Sequence, residues 1–220
     1  NQEQGRVDIK IDPINRNVRI IDNGVGLSKK DFEKRMTAFG ASKKRDTDAR
    51  GFRGVGRLAG IAYCRELIFR TKLKEESEVL QLKWDCKVLK SILLDSNHKG
   101  SLSDVVKDVV SISSITEGNY PDHFFEVEMK SIVKHKKDNL LDPDTIDHYI
   151  AQVAPVPFSP HFSYSEKITS SLKDHIALSN MNVFIDDRES PVYRLHRDRF
   201  NVSDVVQDSF LQFFPTMKWF

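Results

Sequence analysis

Two short glycine-rich stretches hold the residues of this chain whose types and spacing favour chemistry. The first, Asp22 to Gly26, reads Asp-Asn-Gly-Val-Gly, and the second, Gly51 to Arg57, reads Gly-Phe-Arg-Gly-Val-Gly-Arg. A carboxylate accepts hydrogen bonds from an exocyclic amine such as that of adenine, and glycine lets the backbone come close to a base or a phosphate. Amides at the start of a following helix can bind the phosphates. The two clusters, in this order, predict a nucleotide site.

The first cluster follows a predicted hairpin. Residues 6–11 alternate polar and apolar side chains, which is typical of a strand. A turn is predicted over 12–17, and residues 18–21 form a second strand. Asp22 therefore lies at the end of a hairpin strand.

A helix and a loop separate the two clusters. Ser28 precedes a helix predicted over 29–38, and Asp31 stands three residues after it as a variant of the capping box. Residues 39–50 are polar and charged without periodicity, which is typical of a mobile loop. The second cluster then opens an apolar helix and a strand, predicted over 58–63 and 66–72.

Three stretches in this region resemble one known superfamily. They read Asp-Asn-Gly-Val-Gly-Leu-Ser from Asp22, Phe-Gly-Ala-Ser-Lys-Lys from Phe39, and Gly-Phe-Arg-Gly-Val-Gly from Gly51. In this order, with a strand after them, they resemble the ATPase domain of gyrase, heat-shock chaperones, histidine kinases and MutL, known as the Bergerat fold. Residues 42–54 are similar above all to MutL, and 54–56 also to the chaperones.

The resemblance implies an α/β fold of the two-layer α+β sandwich type. A mixed, mostly antiparallel sheet would carry helices on one face, and the start of a second α/β domain would follow. We expect residues 1–160 to form the ATP-binding domain and residues 161–220 to begin a transducer or middle-type domain. The resemblance also implies ATP and Mg²⁺ as ligands. A lid over the nucleotide would close on ATP and promote a homodimer, so ATP would act as a conformational switch.

The resemblance also assigns roles to residues of the two clusters and of the loop between them. Asp22 would bind adenine, with Gly24 and Gly26 as the wall beside the base. The remaining residues would lie near the phosphates: Ser42 and Lys43 on the lid, Gly51, Gly54 and Gly56 in the phosphate turn, and the amides of Val55, Gly56 and Arg57 as donors.

Some residues that the superfamily uses are not found here. A Glu that activates water and an Asn that binds Mg²⁺ are expected upstream of Asn1, since Glu3 has Val7 where the Asn would stand. We therefore expect ATP hydrolysis in the complete protein and not in this segment alone. The strand over 123–129 fits the one that carries a Thr supporting the adenine carboxylate, but it contains no Thr.

Other interpretations of the same residues were weighed. Asp22 to Gly24 alone would fit an ordinary hairpin turn. The second cluster nearly spells a Walker A loop, but Arg57 and Leu58 replace its Lys and Ser/Thr and no strand precedes it. Lys43 can contact a phosphate or belong to a solvated charged loop, and for Arg53 an ion pair is favoured over a phosphate.

Two further function classes compete with an ATPase. A module that binds ATP without hydrolysing it, for sensing or assembly, would have the same two clusters. A histidine kinase is disfavoured because no phosphoacceptor-helix pattern precedes the domain. The kinase-like run from His196 to Asp198 is rejected, since Ser203 stands where the Asn of that motif belongs.

Composition narrows the class of protein. Hydrophobic residues make up 39% and charged residues 30% of the 220 residues, as in a globular protein, and a net charge of +2 does not indicate a dedicated nucleic-acid binder. Cys64 and Cys86 are expected to be reduced core thiols of a cytoplasmic protein. No metal-ligand spacing and no apolar run long enough for a membrane is present.

The second half of the sequence gives weaker signals. Residues 154–160 are rich in proline and fit either a linker or a buried turn. A hairpin of 181–185 with 192–195 is expected to start the second domain. The remaining predictions are strands over 78–88, 109–115 and 123–132, a polar connection over 97–107, and a helix over 143–153 with Asp142 before it.

Overall fold

The computed structural model describes residues 4–37, 56–95, 100–134, 137–173, 181–196, 199–202 and 205–208. The strands are β1 Arg6–Asp12, β2 Asn17–Asp22, β3 Glu66–Lys72, β4 Val79–Asp85, β5 Val110–Ile115, β6 Phe124–Lys130, β7 Asn182–Ile185, β8 Arg199–Val202 and β9 Val205–Asp208. The α-helices are α1 Lys29–Thr37, α2 Cys86–Leu94, α3 Leu102–Val109, α4 Pro143–Val153 and α5 Ser165–Lys173. Two 3₁₀ helices span Gly56–Ala62 and Asn139–Leu141.

Seven strands form one sheet in the order β5-β4-β3-β6-β2-β1-β7. All neighbours are antiparallel except β1 and β7, which run parallel. The remaining pair, β8 and β9, forms a separate antiparallel ribbon. The predicted fold class, a mixed and mostly antiparallel sheet with helices packed on it, is confirmed.

One face of the sheet is apolar because successive side chains of a strand point to opposite faces. Across the sheet, Ile185 aligns with Ile9, Ile9 with Ile20, and Ile20 with Val127. Val127 aligns with Phe69, and Phe69 with Leu82, which continues the row to β4. Helix α1 packs on this face, where the ring of its buried Phe32 meets Phe125 edge-on at 6.4 Å.

The opposite face is charged, yet part of it is buried. Glu126 is fully buried and lies between two arginines, accepting a 2.6 Å hydrogen bond from Arg19 and another from Arg70. Arg70 also pairs with Glu128 at 2.7 Å. Carboxylates and guanidinium groups therefore satisfy each other on this face, as buried charges require.

Helix ends follow the capping rules that the sequence predicts. Ser28 Oγ accepts a 3.3 Å hydrogen bond from the amide of Asp31 at the start of α1. Asp142 caps α4, with Pro143 as the first helical residue. The strands predicted over 6–11, 18–21, 66–72, 109–115 and 123–132 are confirmed, with shifts at their ends.

The strand predicted over 78–88 is confirmed as far as Asp85, and the polar connection predicted over 97–107 is wrong. The strand expected over 78–88 ends at Asp85, because the Asp85 carboxylate accepts a 2.9 Å hydrogen bond from the Val88 amide and starts α2. The polar connection expected over 97–107 contains α3, since Ser101 and Asp104 form a reciprocal capping box. In both cases a short polar side chain begins a helix.

The hairpin expected near the end of the chain is wrong in its second strand. The strand predicted over 181–185 forms, but it pairs in parallel with β1. Residues 192–195 make no strand, and Arg194 instead forms an isolated bridge with Phe158. Val156 is fully buried, which favours the buried-turn interpretation of residues 154–160 over the linker. The division of the chain at residue 160 stays a prediction.

Two further sequence expectations concern thiols and membranes. Cys64 and Cys86 are free and buried, and the hydrogen bond between their thiols together with burial raises the pKa of Cys64. Such a thiol stays protonated and behaves as a core residue. Throughout the described residues, no helix has both the length and the apolar character needed to cross a membrane.

Candidate functional site

Asp22 is the last residue of β2 and shares the apolar face of the sheet. In the strand register it stands between Val7 of β1 and Phe125 of β6, and Phe125 stands beside Thr71 of β3. A carboxylate is unusual in such a row, because the neighbouring side chains remove water and give it no opposite charge. This placement makes Asp22 the first candidate for a ligand contact.

The two oxygens of the Asp22 carboxylate differ in their surroundings. Oδ1 accepts a 2.8 Å hydrogen bond from the Gly24 amide. The described residues provide no other hydrogen bond and no ion pair to this carboxylate, so Oδ2 remains available to an outside donor. Burial raises the pKa of Asp22, and the Gly24 amide opposes that effect. A hydrogen-bond donor from a ligand would stabilise the charged carboxylate, which burial disfavours.

The two glycines after Asp22 are required by close contacts. A Cβ at Gly24 would lie 2.5 Å from Asp22 Oδ1 and would displace the carboxylate. Gly26 has a φ of +76°, and a Cβ there would lie 2.0 Å from the carbonyl oxygen of Lys72. The loop from Asp22 to Leu27, called here the adenine loop after the ligand that the sequence predicts for it, therefore lies directly against the end of β3.

Asn23 joins the adenine loop to the beginning of β1. Its side-chain oxygen accepts a 2.7 Å hydrogen bond from the Arg6 amide, and its Nδ2 donates to the carbonyl of Gln4 at 3.0 Å. The backbone amide of Asn23 also donates to the Arg6 carbonyl at 3.1 Å. Asn23 thus satisfies backbone groups of a neighbouring segment, which is a structural role.

Two side chains outside the loop, Thr71 and His123, hold it through backbone groups of Leu27 and Gly24. The hydroxyl of Thr71, fully buried on β3, accepts from the Leu27 amide at 3.0 Å and donates to the Phe124 carbonyl at 2.9 Å. His123, just before β6, places Nδ1 2.9 Å from the carbonyl oxygen of Gly24. Thr71 of β3 therefore fixes the end of the loop, and His123, just before β6, contacts its middle.

The second glycine cluster is described only in part. Gly56 and Arg57 begin the 3₁₀ helix Gly56–Ala62, which contacts β3 and buries Leu58 in the apolar core. Gly60 lies so close to β3 that a Cβ would meet a methyl of Leu67 at 2.8 Å. The other predicted site residues, Ser42, Lys43, Gly51, Gly54 and Val55, lie outside the described residues.

The structure brings together one half of the predicted site. Asp22, Gly24 and Gly26 form one loop, and β3 follows the helix that Gly56 and Arg57 begin. In the described ranges, no group of three His, Cys, Asp or Glu side chains could hold a metal ion. The contacts of Asp22, Gly24 and Gly26 are therefore described, but their role in binding adenine stays a prediction, as do the phosphate and metal roles.

Sequence reasoning missed Thr71 and His123. Thr71 shares one face of β3 with the buried Leu67 and Phe69, and a lone hydroxyl on such a face signals a buried hydrogen bond. His123 could not be assigned because its contact depends on which strand lies beside β2, a pairing of residues far apart in sequence.

Comparison with known families agrees with this geometry. Residues 3–116, just over half of the chain, match the family of histidine kinase-, DNA gyrase B- and HSP90-like ATPases. The chain belongs to that family and carries its nucleotide-binding ATPase domain. The matched segment contains both glycine clusters and strands β1 to β5, but it ends before β6. Comparison with curated proteins gave no match.

Proposed function

We propose that this chain binds adenine nucleotides through Asp22 and uses ATP as a conformational switch. The observation that carries the proposal is the Asp22 carboxylate, partly buried in an apolar row with one oxygen held and the other available. Adenine offers an exocyclic amine to that oxygen, whereas guanine offers a carbonyl oxygen at the equivalent position. A carboxylate therefore favours adenine, because two acceptors would otherwise face each other.

The adenine loop supports this assignment through its shape. Gly24 and Gly26 have no side chains that could displace Asp22 Oδ1 or collide with Lys72. Thr71 holds Leu27, so the loop is fixed before any ligand arrives. A site that is ordered in advance loses less entropy when the nucleotide binds.

The phosphate side of the proposal rests on sequence and family. Amides of Val55, Gly56 and Arg57, within the turn made by Gly51, Gly54 and Gly56, would bind the phosphates. Ser42 and Lys43 would contact them from the lid, and Mg²⁺ would neutralise part of their charge. Closure of residues 39–50 over bound ATP would exclude water and favour pairing with a second copy of the chain.

Calorimetry with ADP and GDP on the full chain tests the adenine assignment. Wild type should bind ADP at least tenfold more tightly than GDP, and Asp22→Asn should lose about 2 kcal/mol of ADP binding because two donors would face each other. Asp8→Asn is the matched control, since Asp8 lies on the opposite face of neighbouring β1 and pairs with Arg6. Equal affinities for ADP and GDP would contradict the proposal.

Lid closure and dimerisation need a separate experiment. Hydrogen exchange across residues 39–50 should slow when a non-hydrolysable ATP analogue and Mg²⁺ are added, and Lys43→Ala should reduce the effect. Light scattering under the same conditions should report a doubled mass. Unchanged exchange together with an unchanged mass would contradict the conformational switch, but it would not contradict ATP binding.

A further inference from the structure

His123 makes a contact with the adenine loop that the matched family segment does not include. The family match ends at residue 116, and His123 stands immediately before β6. Its Nδ1 lies 2.9 Å from the carbonyl oxygen of Gly24. Because a carbonyl oxygen can only accept, Nδ1 must carry the hydrogen in this contact. The imidazole is therefore a donor to the loop.

This contact reaches the Asp22 carboxylate through one residue. The carbonyl of Gly24 accepts from His123, and the amide of the same residue donates to Asp22 Oδ1 at 2.8 Å. Gly24 has no side chain to restrict its backbone, so these two hydrogen bonds determine its orientation. If the imidazole is removed, the Gly24 amide and the carboxylate can both turn.

The fold itself has a different anchor at this point. Thr71 already ties the Phe124 carbonyl of β6 to the Leu27 amide, and it is fully buried. Strand β6 is also paired along its length with β2 and β3. The contact from His123 to Gly24 is therefore not needed to keep the strand in the sheet, and its effect is local to the adenine loop.

We propose that His123 is a positioning residue of the nucleotide site, holding Gly24 so that Asp22 presents its available oxygen to the adenine amine. The inference rests on the proposed function, because it assumes that Asp22 meets adenine. His123 thereby affects affinity for the base, although it contacts the loop and not the ligand. An amide side chain that places an N–H donor at a similar position should fulfil the same role as the imidazole.

The test is ADP binding by the full chain, measured by calorimetry for wild type, His123→Leu and His123→Asn. His123→Leu should weaken ADP binding roughly tenfold, as expected for a lost hydrogen bond at a ligand site. His123→Asn should bind within about threefold of wild type, because its Nδ2 can donate where Nδ1 did. His148→Leu, on the exposed surface of α4, is the matched control and should bind like wild type.

A double-mutant cycle separates positioning from a general structural effect. In an Asp22→Asn background, His123→Leu should cause no further loss of ADP affinity, because its effect passes through the carboxylate. An equal loss in both backgrounds, or no loss in wild type, would overturn the inference and leave ADP binding by Asp22 intact. Absence of ADP binding by wild type would overturn the proposed function itself. If His123→Leu and His123→Ala both fail to fold, His123 is structural and the inference is wrong.

Discussion

Gly26 and Lys72 approach each other so closely that only a glycine fits between the adenine loop and the end of β3. A Cβ at Gly26 would lie 2.0 Å from the Lys72 carbonyl oxygen, and the φ of +76° is one that L side chains rarely adopt. Backbone, rather than a flexible side chain, stands in the way. Any substitution must therefore move the loop away from β3.

Gly26→Ala should consequently weaken ADP binding by tenfold or more, measured by calorimetry, because the loop that carries Asp22 moves with it. Gly5→Ala is the control, since a Cβ there would meet Met181 Cβ at an ordinary 3.6 Å. Both variants add one methyl group, and they differ in whether that group meets backbone at a short distance. ADP binding by Gly26→Ala at wild-type strength would show that the loop is not held against β3.

Asp22 should cost stability when no nucleotide is present. Burial raises its pKa in the folded protein, so ionisation is less favourable there than in the unfolded chain. The contribution of Asp22 to the free energy of unfolding is most favourable below its ordinary pKa. That contribution is lost as the pH rises through the pKa of the folded state. Asp22→Asn removes the charge, so at pH 7 the variant should be at least as stable as wild type while it loses ADP binding.

Urea unfolding at several pH values measures this effect. The difference in free energy of unfolding between Asp22→Asn and wild type should shrink as the pH is lowered towards the ordinary carboxylate value of about 4. Asp8→Asn loses an exposed pair with Arg6 and should gain no stability at pH 7. A large loss of stability in Asp22→Asn would mean that the carboxylate has a further stabilising partner in the folded protein.

Thr71 should matter for the stability of the fold. Thr71→Val keeps the shape but leaves the Leu27 amide without its acceptor and the Phe124 carbonyl without its donor. We expect a loss of about 2 kcal/mol in the free energy of unfolding, the usual range for buried groups left unsatisfied. Thr71→Ser retains the hydroxyl and serves as the control. Equal unfolding free energies for Val and Ser would refute the role of the hydroxyl.

The sequence predicted the placement of Asp22 and of the two glycines after it because the requirements of this loop are local. A hairpin strand ending in Asp22 and two glycines determine where the carboxylate stands and how close the backbone can come. These features depend on neighbouring residues, so periodicity and residue type suffice. The contacts of Thr71 and His123 depend on β6 standing between β2 and β3, which no local pattern encodes.

Local signals also failed where two of them competed. Residues 78–88 alternate like a strand throughout, yet the Asp85 side chain caps a helix and ends the strand there. Residues 181–185 do form a strand, but its partner is β1, from the other end of the chain. Pairing of distant segments therefore decided the topology, whereas side chains near each segment decided its type.

The buried charges on the opposite face of the sheet provide a prediction that separates stability from binding. Glu126 is fully buried between Arg19 and Arg70, and Arg70 is itself only 14% exposed. Glu126→Ala leaves Arg70 with Glu128 as its one carboxylate partner beside the Gln81 amide, so we expect a loss of about 3 kcal/mol in the free energy of unfolding. Glu66→Ala breaks a comparable pair with Lys83 whose side chains are 40% and 39% exposed, and should change stability by about 0.5 kcal/mol or less.

Glu126 and Asp22 lie on opposite faces of the sheet, since Glu126 aligns with Ile21 and Phe125 aligns with Asp22. Folded Glu126→Ala should therefore bind ADP with wild-type affinity at a temperature well below its unfolding transition. Calorimetry at low temperature, with circular dichroism to confirm folding, measures this directly. Loss of ADP affinity in the folded variant would mean that a change on the charged face alters the adenine loop through β6. The two faces of the sheet would then not be independent.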